Sequence, residues 1–539
     1  MPTLASAVSI ASAFALVAVC TQSGEIRAQV PEAIVNGVPR EQGAPQAARA
    51  SGSSCAALGG LAIPDVSIVS ATSVAGGPLV PAAGVQPLTV PALCRIVAVA
   101  TPTPDSHINF EVWIPEGSAW NGKFQGVGTG GFAGSISYGA LAEGVRRGYA
   151  TASTDTGHVG DDLKFAQGHP ERIVDWGYRS IHVMTEAGKL IVRNHTGRFP
   201  DRAYFNGCAT GGHQALMEVQ RFPADYDGVV AGNPAADRTN EILAYLWDWR
   251  ATHSADGKSL VDPAKFQLLT RSAVTACDGN DGVKDGVIDD PRQCRFDPAS
   301  LLCKGDTSDS CLTRVELDAV RAVYAGPRNP RTGEQIFPGW PLGSEGYGPG
   351  PGDGWRNFLD VPEPRRVGLF QYFVFKNPTW DLWSMDWDRD VAFANRTMGF
   401  LNATAHDLSS FRDRGGKIVM HTGWVDPILP APDVIKYYED VTGAMGGRGP
   451  TETFFRLFLA PGMGHCSGGP GPNELDALTA LEAWVEKGAA PDQVIARRRG
   501  AGGEVERTRP LCVYPQVARW SGRGSTDAAE NFACVNPDR

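Results

Sequence analysis

The chain has 539 residues, 42% of them hydrophobic and 20% charged, and a formal net charge of −10. That length accommodates a large core with an inserted second domain. The acidic balance, with no lysine- or arginine-rich block, argues against a nucleic-acid partner.

In chain order, residues 4–19 are apolar and rich in small side chains, with a small-residue cleavage site near Ala28. This is the length of a signal-peptide core and is too short for a comfortable membrane span. The stretch lacks a positive start, and Val19 before Cys20 makes a poor lipobox. Residues 1–28 are therefore expected to be an export signal, giving a secreted or periplasmic protein without stable membrane insertion. Eleven cysteines become ten once Cys20 is removed, and an even number in an exported chain suggests disulfides. Cys55/Cys94, Cys277/Cys294, Cys303/Cys311 and Cys512/Cys534 are natural local pairs, which leaves Cys208 and Cys466.

Residues 29–104 read as an N-terminal meander closed by Cys55–Cys94. Strands are predicted at 108–115, from 124 into the glycine-rich loop 128–134, at 149–154 before D-T-G-H (155–158), and at 226–232. The apolar spacing over 180–193 predicts a helix. Strand, helix, strand in this order implies a doubly wound, mostly parallel sheet. Residues 239–405, rich in turns and tryptophans, read as an inserted lid between two parts of the core, 29–238 and 406–539. Most lid aromatics are expected to form the lid's own core, and a few to line a pocket suited to aromatic acyl groups. After the lid, strands are predicted at 416–422 and 454–459, and helices at 432–441 and 475–487.

The chemistry gathers at three loops. Residues 202–214 read R-A-Y-F-N-G-C-A-T-G-G-H-Q. With serine at 209 this is G-x-S-x-G, the sharp strand-to-helix turn of α/β-hydrolases. Ala209 stands there, and a methyl group cannot attack a carbonyl. Asp426 follows the strand at 416–422, and His465 follows the strand at 454–459. Nucleophile position, acid, histidine is the α/β-hydrolase order, and ligand sites in open sheets collect at the strands' carboxyl ends. His465 is expected as the base and Asp426 as its orienter; His421, within a strand, reads as a packed core histidine. A Cys208–Cys466 disulfide requires Cα atoms within about 7 Å, which brings the elbow and the histidine loop together. The oxyanion hole is expected from the backbone N–H groups of Thr210 and Gly131. Thr210 is a poor substitute nucleophile on so tight a turn.

Between Cys277 and Cys294, Asp278, Asp281 and Asp285 are closely spaced among glycines, with valine carbonyls between them. Hard oxygen donors on a turning backbone suit Ca²⁺, in a pattern that is not an EF-hand.

With these motifs assembled, the chain resembles the tannase/feruloyl esterase family of α/β-hydrolases over nearly its whole mature length. The resemblance rests on the elbow, D-T-G-H, Y-D-G-V-V-A-G, the C-D-G-N-D-G-V-K-D-G-V-I-D loop, G-W-V-D-P and P-G-M-G-H-C-S-G-G-P-G. It implies a Ser–Asp–His triad, a disulfide between the cysteines beside serine and histidine, and a structural Ca²⁺ in the lid. The implied ligands are the side chains of Asp278, Asp281 and Asp285 and the carbonyls of Val283 and Val287. The implied partner is a small-molecule ester of gallic, ferulic or a related aromatic acid, with a terephthalate monoester as an alternative. Ala209 departs from the pattern. A Ser→Ala change in an otherwise intact site accounts for it with one substitution. A natural pseudo-enzyme, or a calcium-dependent binding module, is the rival reading.

Overall fold

The computed structural model describes residues 52–132, 134–348 and 353–537. The expected export signal (1–28), including Cys20, lies outside the described residues. The short apolar runs bounded by Gly, Pro or Asp become strands. In chain order these are β1 (Val66–Val74), β2 (Gly77–Leu79), β3 (Leu88–Val90), β4 (Leu93–Ala100), β5 (Ile108–Pro115), β6 (Lys123–Val127), β7 (Ala150–Thr154), β8 (Arg202–Cys208), β9 (Gly228–Gly232), β10 (Lys417–Gly423) and β11 (Phe455–Ala460). Nine of them make one sheet in the order β1-β4-β5-β7-β6-β8-β9-β10-β11. All pairings from β7 across to β11 are parallel. The edge formed by β1, β4 and β5 is antiparallel. β7 and β9 are buried at every residue, as strands covered by helices on both faces must be.

The N-terminal meander is corrected by this topology. From Val66 onward it supplies β1 and β4 to the main sheet, and among its strands β2 and β3 pair with each other. The cause lies in β4, whose burial alternates so that Ile96, Ala98 and Ala100 enter the main core while the residues between them are half-exposed. Such alternation marks a strand with one face on a core.

Helices follow the parallel strands. Ser180–Thr196 ends at Gly197 with φ 79°, a left-handed cap. Ala477–Lys487 lays Leu481 against β9, so closely that a Cβ on Gly228 would sit 3.0 Å from it. The insert is more helical than its texture suggested, with Arg238–Thr252, Ala264–Cys277, Arg314–Ala325 and Arg389–Met398. Its buried aromatics, among them Trp249, Trp340, Trp355 and Phe373, share one cluster with Phe132, Ile173 and Trp176 from before the elbow. Each such side chain contributes about 1.5–3 kcal/mol on burial, so the lid is anchored on the segment around residues 132–176. Two short hairpins, β12 (Gln493–Arg499) with β13 (Val505–Cys512) and β14 (Val517–Trp520) with β15 (Phe532–Val535), complete the chain. Five disulfides join Cys55–Cys94, Cys208–Cys466, Cys277–Cys294, Cys303–Cys311 and Cys512–Cys534. No described helix is long and apolar enough to cross a membrane.

Candidate active site

β8 delivers Ala209 into a turn with φ 60° and ψ −117°, after which Thr210–Arg221 is helical. A non-glycine residue held there costs about 1–3 kcal/mol of backbone strain, and the surroundings hold it. Ala209 N–H donates to the Gly232 carbonyl at 3.0 Å, and its own carbonyl accepts from His213 N–H at 3.0 Å. The neighbouring glycines are required by close approach: a Cβ on Gly207 would lie 2.5 Å from the Gly211 backbone. The Ala209 methyl packs with Ala235, Leu429 and Cys466.

The acid and the histidine arrive from β10 and β11. Asp426, fully buried beyond β10, accepts from the N–H groups of Ile428 (2.8 Å) and Leu429 (3.0 Å) on Oδ1. On Oδ2 it accepts from Asn233 Nδ2 (2.6 Å) and lies 2.9 Å from His465 Nδ1. A carboxylate only accepts, so Nδ1 carries the proton and Nε2 is the nitrogen left to receive one. Burial lowers the His465 pKa, but the Asp426 charge and hydrogen bond outweigh it, and the net direction is upward. The Cys208–Cys466 disulfide, with Cα atoms 6.0 Å apart, ties the residue before Ala209 to the residue after His465. His421 sits buried in β10, its ring beside Gly232.

The glycine-rich loop lies against the elbow. A Cβ on Gly128 would come within 2.5 Å of Gly211 Cα, and Gln214 clamps Thr129 by accepting its N–H and donating to its hydroxyl, both at 3.1 Å. Thr210 N–H heads its helix, where no carbonyl lies one turn earlier to accept it. The Thr210 hydroxyl donates to the Gly131 carbonyl and accepts from Arg238 at 2.9 Å. Both bonding sides of that hydroxyl are thereby engaged. Arg366 lies 5.0 Å from the Phe132 ring centre and pairs with Asp161, whereas Arg365 turns away to the Asn357 carbonyl.

Several residues here escaped the sequence reading. Asn233 directly follows β9 and precedes Pro234 at the sheet's carboxyl edge, which is the one signal that could have flagged it. Trp340 Nε1 donates to the Pro427 carbonyl at 2.9 Å, and Tyr245 Oη lies 2.9 Å from the Ile428 carbonyl. Two lid aromatics thereby hold the loop that carries Asp426. Nothing local distinguishes them from other lid aromatics.

In the acidic loop, Asp281, Asp285, Val287 and Asp289 line a small cavity together with Arg509. Burial, with Asp281 and Asp290 nearby, pushes Asp289 up to about 7, while Arg509 and Arg507 pair with Asp285. Such a donor set fits a hard cation. Asp278 instead accepts the N–H groups of Asp285, Gly286 and Val287, and Val283 N–H donates to Asp281.

Residues 94–535 match the family model described as tannase and feruloyl esterase. An esterase of Xanthomonas campestris pv. campestris, not otherwise characterised, is 39% identical over 90% of this chain and 92% of its own. A mono(2-hydroxyethyl) terephthalate hydrolase of Piscinibacter sakaiensis is 35% identical over 80% of this chain and 82% of its own. The crystal structure of feruloyl esterase B from Aspergillus oryzae superposes with a TM-score of 0.82 at 29% identity, covering 88% of this chain and 98% of that one.

Proposed function

Because the chain belongs to the tannase and feruloyl esterase family of α/β-hydrolases, whose named members are carboxylic ester hydrolases, we propose that it is an exported serine-type esterase for aromatic acid esters, held inactive by alanine at the nucleophile position. The observation that carries this reading is the 2.9 Å His465–Asp426 pair on a loop disulfide-bonded to the elbow.

With serine at 209, His465 Nε2 takes the hydroxyl proton as the oxygen attacks the ester carbonyl, and Asp426 stabilises the imidazolium. The developing oxyanion is received by the N–H groups of Thr210 and Gly131. The alcohol leaves with the proton from His465, and water then releases the acid by the same route. With Ala209 the first bond cannot form, so the ester is bound and not cleaved. A calcium ion in the acidic loop of the lid would neutralise the carboxylates there and brace that loop.

Neutral phenolic acyl groups are favoured, because Asp161 already engages Arg366 beside the glycine loop. A terephthalate monoester is the second reading: its free carboxylate would compete with Asp161 for Arg366, and a relative carries that activity in its name. The deciding experiment is Ala209→Ser with methyl gallate, methyl ferulate and a short nitrophenyl ester as substrates. A rise of about 10³-fold or more is expected from a restored triad acting as a unit. An unchanged rate would favour a binding module instead.

A further inference from the structure

Arg238 is 3% exposed and opens the first helix of the lid. Its guanidinium donates to Glu241 at 3.3 Å and lies 5.3 and 5.5 Å from the ring centres of Phe132 and Trp176, which stack on each other. Its other terminal nitrogen donates to the Thr210 hydroxyl. A hydroxyl has one proton to give. With Arg238 filling its acceptor side, the Thr210 proton is committed to the Gly131 carbonyl. The N–H at the other end of that same peptide, on Phe132, donates to Asp161 at 2.8 Å. The Gly131–Phe132 peptide is thus held at both ends. Gly131 itself is left-handed, φ 62°, and its own N–H lies on the preceding Gly130–Gly131 peptide, joined to the held plane through the Gly131 Cα.

We propose that Arg238 is a positioning residue that keeps the oxyanion hole preformed, acting through the Thr210 hydroxyl on the Gly131 carbonyl and so on the placement of the Gly131 Cα. The inference rests on the esterase reading above and deepens it. Without the guanidinium, the Thr210 hydroxyl can rotate away, the Gly131 carbonyl is released, and the Gly131 Cα with its N–H is free to shift out of the hole. Arg238 touches no reacting atom.

The test uses the Ala209→Ser protein as parent. Adding Arg238→Met is expected to lower kcat about 10- to 100-fold, less than the 10²–10³ that loss of a whole oxyanion donor costs, with KM within about threefold. Arg238→Lys, which keeps one donor, is expected to recover part of the loss. Thr210→Val is expected to lower kcat similarly, whereas Thr210→Ser, which keeps the hydroxyl, is expected to lose markedly less. In the Thr210→Val background Arg238→Met is expected to add nothing, because both act through one link. Parental kcat in Arg238→Met, independent losses that multiply in the double variant, or a rise in KM alone would each overturn the proposal. Should Arg238→Met fail to fold, equal rates for Thr210→Val and Thr210→Ser would overturn it. An inactive Ala209→Ser parent would remove the esterase reading and this inference together, whereas an active parent with indifferent Arg238 variants would remove this inference alone.

Discussion

Asn233 donates its side-chain amide to Asp426 Oδ2 at 2.6 Å, the same oxygen that faces His465 Nδ1 at 2.9 Å. The amide therefore shares the work of aiming the carboxylate, and Asn233 is itself fixed by its N–H bond to the His421 carbonyl at 2.7 Å. In the Ala209→Ser protein, Asn233→Leu is expected to reduce kcat about tenfold or more while leaving a folded protein. Losing a hydrogen bond to a charged group costs about 1.5–3 kcal/mol. Steady-state kinetics check it, and an undiminished kcat would remove Asn233 from the site.

Asp426 holds the His465 pKa above its ordinary value against the opposing effect of burial. On the proposed mechanism neutral His465 is the base, so the rate of the Ala209→Ser protein should rise with pH through a value above about 6.5. Asp426→Asn should move the His465 titration, followed by NMR in the Ala209 protein, to lower pH. For stability the sign is the reverse: the pair's contribution is complete below pH about 6.5 and fades as pH rises through the raised value. A His465 titration that Asp426→Asn leaves in place would contradict this.

The Cys208–Cys466 bond closes 258 residues of chain. Replacing both cysteines by alanine is expected to cost about 2–4 kcal/mol, read as a lower denaturant midpoint. In the Ala209→Ser background it should also lower kcat by loosening the histidine loop. Unchanged kcat would mean that packing alone holds His465.

Burial holds His213 down to about 3 and His421 down to about 4. Both are neutral in the folded protein and take up protons on unfolding, so stability present above pH about 6.5 is lost as pH falls toward 4. Each contributes up to about 1.4 kcal/mol per pH unit. His421→Gln should flatten the fall in Tm over that window, and an identical Tm profile would count against it.

Calcium in the acidic loop should raise Tm in proportion to the logarithm of its concentration, and chelation should lower it while leaving the disulfides intact. Asp285→Asn should abolish the response. A Tm indifferent to calcium and chelator would remove the ion from this loop.

Local pattern was enough for the parallel strands, the elbow glycines and the order Ala209, Asp426, His465, because each depends on a neighbour or two in sequence: a buried strand must be apolar, and a turn that tight admits only small residues. It left β1 and β4 unplaced within a meander, since which edge a strand joins depends on partners far along the chain. Asn233, Trp340, Tyr245 and Arg238 were likewise decided only in three dimensions. An amide, an indole, a phenol and a guanidinium are chemically ordinary until folding directs them at Asp426, its loop, or the Gly131 peptide. The sequence by itself determined which residues stand at the elbow and on the loops after β10 and β11. The tertiary structure decided what holds them in register, because that restraint comes from long-range hydrogen bonds and a disulfide that no local spacing encodes.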